Sequence, residues 1–295
     1  MPDLKSATLF ASDFVRITDV CCHAPRSGFG EDEVVESPRL IFPRRGVFEC
    51  GFAHETVVAD SNGALLFNAG DSYRVRHPCD GGDDCSVFVF PPEVLCEALG
   101  DYGLSRPHFE VHPFAFPCVV IDAHAQYRER MLHHALRLRG LDALGVEEAS
   151  GSLLGLLAAQ IAGRPAPEHC TSTAPQQRLV EQARALLASR PEARLSLGEI
   201  AREVCYSPFY LARLFRAEVG TSLHQYRLRL RLAVALEHIA QGEDDLSRLA
   251  LDLGFDSHSH FTASFRRCFG CTPSQARADL TIHHLQEIRK ILIPR

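Results

Sequence analysis

Glu199-Ile-Ala-Arg-Glu-Val-Cys-Tyr-Ser-Pro-Phe-Tyr-Leu-Ala-Arg-Leu-Phe-Arg-Ala-Glu-Val-Gly220 is one reading of a pattern that returns as Arg248-Leu-Ala-Leu-Asp-Leu-Gly-Phe-Asp-Ser-His-Ser-His-Phe-Thr-Ala-Ser-Phe-Arg-Arg-Cys-Phe-Gly270. Ile200 and Ala201 answer to Leu249 and Ala250. One residue is then inserted at the turn. Ser207, Leu211, Phe215, Arg216 and Gly220 answer to Ser257, Phe261, Phe265, Arg266 and Gly270, each 50 positions on. Repetition of this kind fixes the architecture before any single element is considered.

Each copy reads as a short helix, a tight turn and a second helix. Ser196 with Glu199 has the spacing of a capping box, and Ser207 followed by Pro208 has the spacing of an N-cap with proline at the first helical position. The apolar residues fall where such a pair buries itself: Ile200, Ala201, Val204, Leu211, Leu214 and Phe215, then Leu249, Ala250, Leu253, Phe261 and Phe265. Small Ala201 and Ala250 allow close helix approach. The stretch from Ser222 to Ala240 reads as one helix of ~28 Å at 1.5 Å per residue. It would hold the two second helices roughly one DNA turn apart, ~34 Å.

The second helix of such a unit lies in the major groove with its N-terminal residues at base edges. In the first copy Phe209 and Arg213 point outward there, with Ser207 and Tyr210 at the same end. In the second copy His258, Ser259 and Thr262 do so. Arg213 has the reach for a bidentate guanine contact. Arg216, Arg266 and Arg267 lie further along and suit phosphates, which position a protein without reading sequence. The copies agree in their buried positions and differ in their exposed ones, so one scaffold carries two different readers.

Residues 176–278 resemble the DNA-binding domain of the AraC/XylS family of bacterial transcription regulators. Leu197-Gly-Glu-Ile-Ala, Ser207-Pro-Phe-Tyr-Leu-Ala-Arg-Leu-Phe, Gly254-Phe-Asp-Ser-His-Ser-His-Phe and Phe265-Arg-Arg-Cys-Phe-Gly-Cys-Thr-Pro-Ser carry the resemblance. It implies double-stranded DNA as partner, activation of transcription by touching RNA polymerase, a cytoplasmic, nucleoid-associated bacterial protein, and an N-terminal sensor. That sensor is often a cupin-like barrel with a helical pair for homodimerisation. The family pattern often has Arg where Ala263 stands, so the second reader is expected to be the weaker.

The rest of the chain fits that plan. Runs such as Phe14–Ile17, Arg39–Phe42, Thr56–Ala59, Leu65–Phe67 and Ser86–Phe90 are bounded by Gly, Pro, Asp and Asn and read as strands of a small barrel or jelly roll. Asn68-Ala-Gly-Asp71 reads as a turn and Asp80-Gly-Gly-Asp-Asp84 as a polar loop between strands. Ala123–Arg139, with Tyr127, Met131, Ala135 and Leu138 at helical spacing, and Val146–Ile161, rich in leucine, read as two helices. They either cover the sheet or, through the leucines, also pair with a second subunit. His133 and His134 are expected to face solvent or a partner. The fold class is α+β: residues 1–165 a cupin-like sensor and dimerisation domain, 166–175 a Pro/Ser/Thr linker, 176–282 the double helix-turn-helix domain, and 283–295 a tail.

Composition bounds the function. No run reaches the ~18 apolar residues of a membrane helix and the N-terminus has no signal-peptide core, which points to a soluble intracellular protein. The net charge of −6 is uneven: residues 175–282 hold 14 Arg against 12 acidic residues, and residues 1–174 hold 14 basic against 24 acidic. The acidic half is a poor nucleic-acid binder.

One cluster in that half invites a signal. His77-Pro-Cys79-Asp-Gly-Gly-Asp-Asp-Cys85 brings an imidazole and two thiols together, with Cys21-Cys22-His23 as further donors. His77, Cys79 and Cys85 are candidate ligands for zinc or another soft metal. Reactive thiols for redox sensing, and ordinary small residues flanking a hairpin, are the other readings. A barrel of this kind can instead hold a small organic effector, with Arg39, Arg44, Arg45 and Arg74 as candidates to meet an anion or simply as solvated surface. No nucleophile–base pairing appears, so no catalytic residues are assigned and the protein reads as a regulator rather than an enzyme. A cupin-type metalloenzyme with an accessory helical domain is the competing class.

Overall fold

The computed structural model describes residues 3–53, 55–104, 112–163, 173–280 and 291–292. Most of the linker 166–175 and, apart from residues 291–292, the tail 283–295 lie outside the described residues. The first half is β-rich: β1 (Asp3–Ala11), β2 (Arg16–His23), β3 (Glu33–Val34), β4 (Arg39–Gly46), β5 (Phe48–Gly51), β6 (Thr56–Ala59), β7 (Gly63–Phe67), β8 (Ser72–Arg76) and β9 (Asp83–Val89) precede helix α1 (Pro92–Gly100), and β10 (Cys118–Val120) follows it. All the pairings are antiparallel. They build a six-stranded sheet in the order β1-β2-β9-β4-β7-β10 and a four-stranded sheet in the order β3-β8-β5-β6.

Strand side chains alternate between faces, and this alternation builds two cores. Leu65, Phe67 and Cys85 point inward with Phe48, Cys50, Val57 and Ala59 to fill the space between the sheets. Their neighbours Ala64, Leu66, Phe88, Leu40 and Phe42 point to the opposite face and join a larger core. Away from the exposed β1 edge, both faces of the six-stranded sheet are therefore covered, which is why every residue of β7 is buried.

Helices α2 (Ala123–Arg137) and α3 (Ala143–Ala162) supply that outer cover. Leu153, Leu154, Leu157 and Ile161 of α3 belong to the chain's own core, so covering the sheet accounts for these leucines. The helical half follows as α4 (Ala174–Ser189), α5 (Leu197–Glu203), α6 (Pro208–Val219), α7 (Leu223–Ala240), α8 (Leu246–Asp252), α9 (His258–Phe269) and α10 (Pro273–Asp279). The fold class read from the sequence, β-rich first half and helical second half, is borne out. Among the described residues no helix is long and apolar enough to cross a membrane.

Three local expectations are corrected. Asp83 and Asp84 are not loop residues: they pair with Cys22 and Cys21 in the ladder and are buried within β9. His133 does not face solvent; it is 7% exposed and its Nε2 lies 3.3 Å from Asp19. Arg44 is not solvated surface: it is 2% exposed and paired with Asp19. Asp19 explains both. Burial raises its pKa, but His133, Arg44 and Arg137 outweigh burial and hold the carboxyl below its ordinary value. Charged residues enter this interior because they enter as a network.

Candidate nucleic-acid interface

The two helix-turn-helix copies are built alike at the level of single residues. Residues 211–220 and 261–270 follow the same order of buried, half-buried and exposed positions throughout. Ser207 Oγ accepts from the Tyr210 N–H at 3.3 Å, and Ser257 Oγ from the His260 N–H at 3.1 Å. Gly220 and Gly270 end α6 and α9 in the left-handed conformation, at φ 77° and 80°. The turn inside each copy also needs a left-handed residue. In the second copy it is Gly254, φ 76°; in the first it is Cys205, φ 59°.

Helix α7 joins the copies by dividing its buried face between them. Leu223, Tyr226 and Leu230 complete the core of the first copy, with Leu179, Val180, Ala183 and Leu187 of α4. Leu232, Ala235, Leu236 and Ile239 belong to the core that holds the second copy. Its arginines staple the intervening loop: Arg227 donates to Leu195 O at 2.6 Å, and Arg231 to Pro191 O at 2.6 Å and Gly254 O at 3.2 Å. Much of the arginine excess in this half is thus scaffold.

Other arginines face outward. Arg213, Arg216, Arg266 and Arg267 are exposed, and among the described residues none of them forms an ion pair. Nearby Arg194, Arg248 and Arg277 are paired, with Asp256, Asp252 and Asp244. On α6, Phe209 is the most exposed large apolar side chain, at 80%. Arg213 lies over the Tyr210 ring at 5.9 Å, and Tyr210 stacks on Tyr206 at 5.7 Å. The Tyr210 hydroxyl accepts from Gln176 Nε2 at 3.0 Å, so Tyr210 is half-buried and braces Arg213. Ser207 Oγ uses one of its two lone pairs on the cap, which leaves its hydroxyl proton for an acceptor.

On α9, His258, Ser259, Thr262, Ala263, Arg266 and Arg267 line one open hollow with Thr272. Thr262 Oγ1 is covered, so the part this residue offers to the hollow is apolar. The faces chosen from the sequence are therefore both exposed, with Tyr210 in a supporting position and Thr262 presenting carbon rather than a hydroxyl.

Both copies are also tied to the β-rich half, which the sequence did not reveal. The turn Asp60-Ser-Asn62 is buried, at 0%, 5% and 0% exposure. The Tyr226 hydroxyl donates to Asp60 at 2.6 Å and accepts from Arg184 Nε at 2.9 Å; Asn62 Nδ2 donates to Tyr226 O at 2.9 Å. Arg184 also bonds Val58 O at 2.9 Å and Glu181 at 2.9 Å, and Glu181 accepts from the Val58 N–H at 2.5 Å. Burial raises the Glu181 carboxyl despite Arg184 beside it. The second copy is held by Tyr127 against Phe269 at 5.7 Å, by His134 Nε2 to Leu280 O at 2.6 Å, and by Arg130 to Glu237 at 3.0 Å. Polar turn residues are ordinarily solvated, which is why Asp60 and Asn62 gave no signal.

The Cys/His cluster is reorganised. His77 Nε2 lies 2.8 Å from Asp83, and the Cys85 thiol donates to the other Asp83 oxygen at 3.2 Å. Cys22 joins His77 and Asp83; Cys79 does not. Burial pushes the thiols of Cys21, Cys79 and Cys85 up, and that of Cys22 to about 11, with neighbouring carboxylates adding to it. A redox-reactive cysteine needs the opposite shift.

A family model described as a helix-turn-helix domain matches residues 200–279. The chain is 35% identical over 96 residues to the HTH-type transcriptional regulator ArgR of Pseudomonas aeruginosa, covering 32% of this chain and 29% of that one. It is 31% identical over 101 residues to the regulatory protein SoxS of Escherichia coli K12, covering 34% of this chain and 94% of that one. It spans about a third of the length of the first relatives it matches. Among solved structures it is similar to ToxT of Vibrio cholerae, 11% identical, with 95% and 98% of the chains covered and a TM-score of 0.36.

Proposed function

Because the chain belongs to the AraC/XylS family of transcription regulators, we propose that α6 and α9 read two successive major grooves on one face of an operator. One observation carries this reading: two register-matched helices present exposed arginines that form no ion pair among the described residues, and different outward side chains, from a matching frame. Arg213 is the principal base reader, Phe209 meets a thymine methyl, and Arg216, Arg266 and Arg267 take phosphates. Helix α7, 18 residues and ~27 Å long, sets the spacing.

The β-rich half acts as sensor through the seam it forms with both copies. A change at Asp60–Asn62 reaches α4 and α7 directly, and a change in α2 reaches α9 and α10. Activation by contact with RNA polymerase is the outcome the family resemblance supports. The test is competition binding of the full chain on a selected operator against random DNA. Specific binding that Arg213→Ala reduces to the random-DNA level supports the reading. Wild-type binding with no preference for any sequence overturns it.

A further inference from the structure

Away from the DNA face, three donors of different chemistry converge between the sheets. Cys22 on β2, His77 just after β8 and Asp83 at the start of β9 each offer one ligand atom, all within 4.8 Å of one another, and all three residues are buried. Cys22 and Asp83 are register partners. His77 follows β8 of the other sheet and lies six residues before Asp83, and the loop between them closes the group.

That loop is built for the return. Gly81 and Gly82 have φ of 112° and 74°, and a Cβ on Gly82 would lie 1.8 Å from the Cys22 carbonyl oxygen. Only glycine lets the loop backbone rest on β2 at this point. The segment before β3 fixes the other side. The Ser27 N–H donates to His77 O at 3.0 Å, the His77 N–H donates to Ser27 Oγ at 3.2 Å, and the Arg26 N–H donates to Asp80 at 2.7 Å. The imidazole is thus held over the sheet by backbone bonds on both of its flanks.

The donor set suits a zinc-class divalent ion, and its atoms are close enough to converge on one. Tetrahedral zinc, with bonds of about 2.0–2.3 Å, places its ligand atoms roughly 3.3–3.8 Å apart, within the 4.8 Å span of this group. Thiolate, imidazole and carboxylate are all zinc ligands. Asp83 presents Oδ1 toward His77, while its Oδ2 accepts from the Cys85 thiol, the kind of outer hydrogen bond that orients a ligating carboxylate. The Phe48 ring, 6.5 Å from the imidazole, walls one side.

We propose that Cys22, His77 and Asp83 bind one divalent cation of the zinc class, with water in the fourth position. On entry the Cys22 thiol releases its proton to solvent, the proton held between His77 Nε2 and Asp83 also leaves to solvent while Nδ1 takes one up, and that hydrogen bond is exchanged for one metal bond to each residue. No electron is transferred. Cys85 orients Asp83, and Cys79 takes no part.

The experiment uses the untagged full chain, stripped with chelator and titrated with Co²⁺, then with Zn²⁺. The expected result is one equivalent of Co²⁺ bound with a thiolate-to-cobalt charge-transfer band, displaced by one equivalent of Zn²⁺. Cys22→Ser abolishes the band. His77→Gln and Asp83→Asn weaken binding about tenfold or more, and Cys79→Ser leaves it unchanged. If Cys22→Ser is unfolded by circular dichroism, the His77 and Asp83 variants decide. A wild-type chain that takes up neither ion stoichiometrically overturns the proposal, as does binding that survives His77→Gln and Asp83→Asn but is lost in Cys79→Ser.

Discussion

Cys205 and Gly254 stand at the same place in the two turns, and only one of them suits it. A left-handed backbone costs a residue with a side chain about 1–2 kcal/mol, whereas glycine adopts it freely at an unfolded-state cost of about 0.5–1 kcal/mol. Cys205→Gly is therefore expected to stabilise the chain by about 0.5–1 kcal/mol in urea unfolding, and an equal or lower stability would show that the turn is not strained. The reverse change is not symmetrical: a Cβ at Gly254 would meet Glu192 O at 2.5 Å, so Gly254→Ala destabilises by contact as well as conformation. His134 gives the residue-scale pH dependence. Burial lowers its pKa below 6.5, with His133 and Arg137 adding to this and the Leu280 carbonyl and Glu237 opposing it. The unfolded chain then takes up the proton at higher pH than the folded one. Stability is fully present above pH ~6.5 and falls as pH drops from there through the lowered folded value. Melting temperatures across that window should decline in the wild type and decline less in His134→Gln; parallel curves would remove His134 from the account.

Arg213 is a property of α6 as a whole, because its reach depends on Tyr210 and Tyr206 stacked beneath it. Arg213→Ala is expected to lose about 1–3 kcal/mol of discrimination between the operator and a mutated site. Arg266→Ala and Arg267→Ala should weaken both sequences alike and flatten the salt dependence. Equal loss on both sequences from Arg213→Ala would make it a phosphate contact instead. At this scale the helices were legible. Capping at Ser196 and Ser207 and the 50-residue offset are local signals, and each recurs in the structure. The strands were half legible. β6, β7 and β9 announce themselves as apolar runs, while β1, exposed along most of its length, and β8, which alternates Arg with Tyr and Val, carry no such run. The Asp83–Asp84 pair reads as loop because two carboxylates rarely enter a sheet. They do so here because His77, Cys85 and Arg45 meet them, and those partners are distant or ambiguous in sequence.

The whole molecule is a double helix-turn-helix frame clamped to its β-rich half, and the clamp was invisible in the sequence because it is made of residues that ordinarily mark surface: Asp60, Asn62, Arg184 and Glu237. Tyr226 sits at its centre. Tyr226→Phe removes the bonds to Asp60 and Arg184 without removing volume, and should cost about 1–3 kcal/mol of stability. A cost under about 0.5 kcal/mol, the size of an ordinary surface change, would show that the halves are not joined there. With both copies held against the β-rich half, their separation is set by α7 and the seam rather than by DNA. Hydroxyl-radical footprinting of the full chain on its selected operator reads that rigid spacing. Two protected patches about 10 base pairs apart on one face of the duplex are expected, the α9 patch weakening in Arg266→Ala/Arg267→Ala. A single patch of one groove's width, unchanged in that variant, would contradict it.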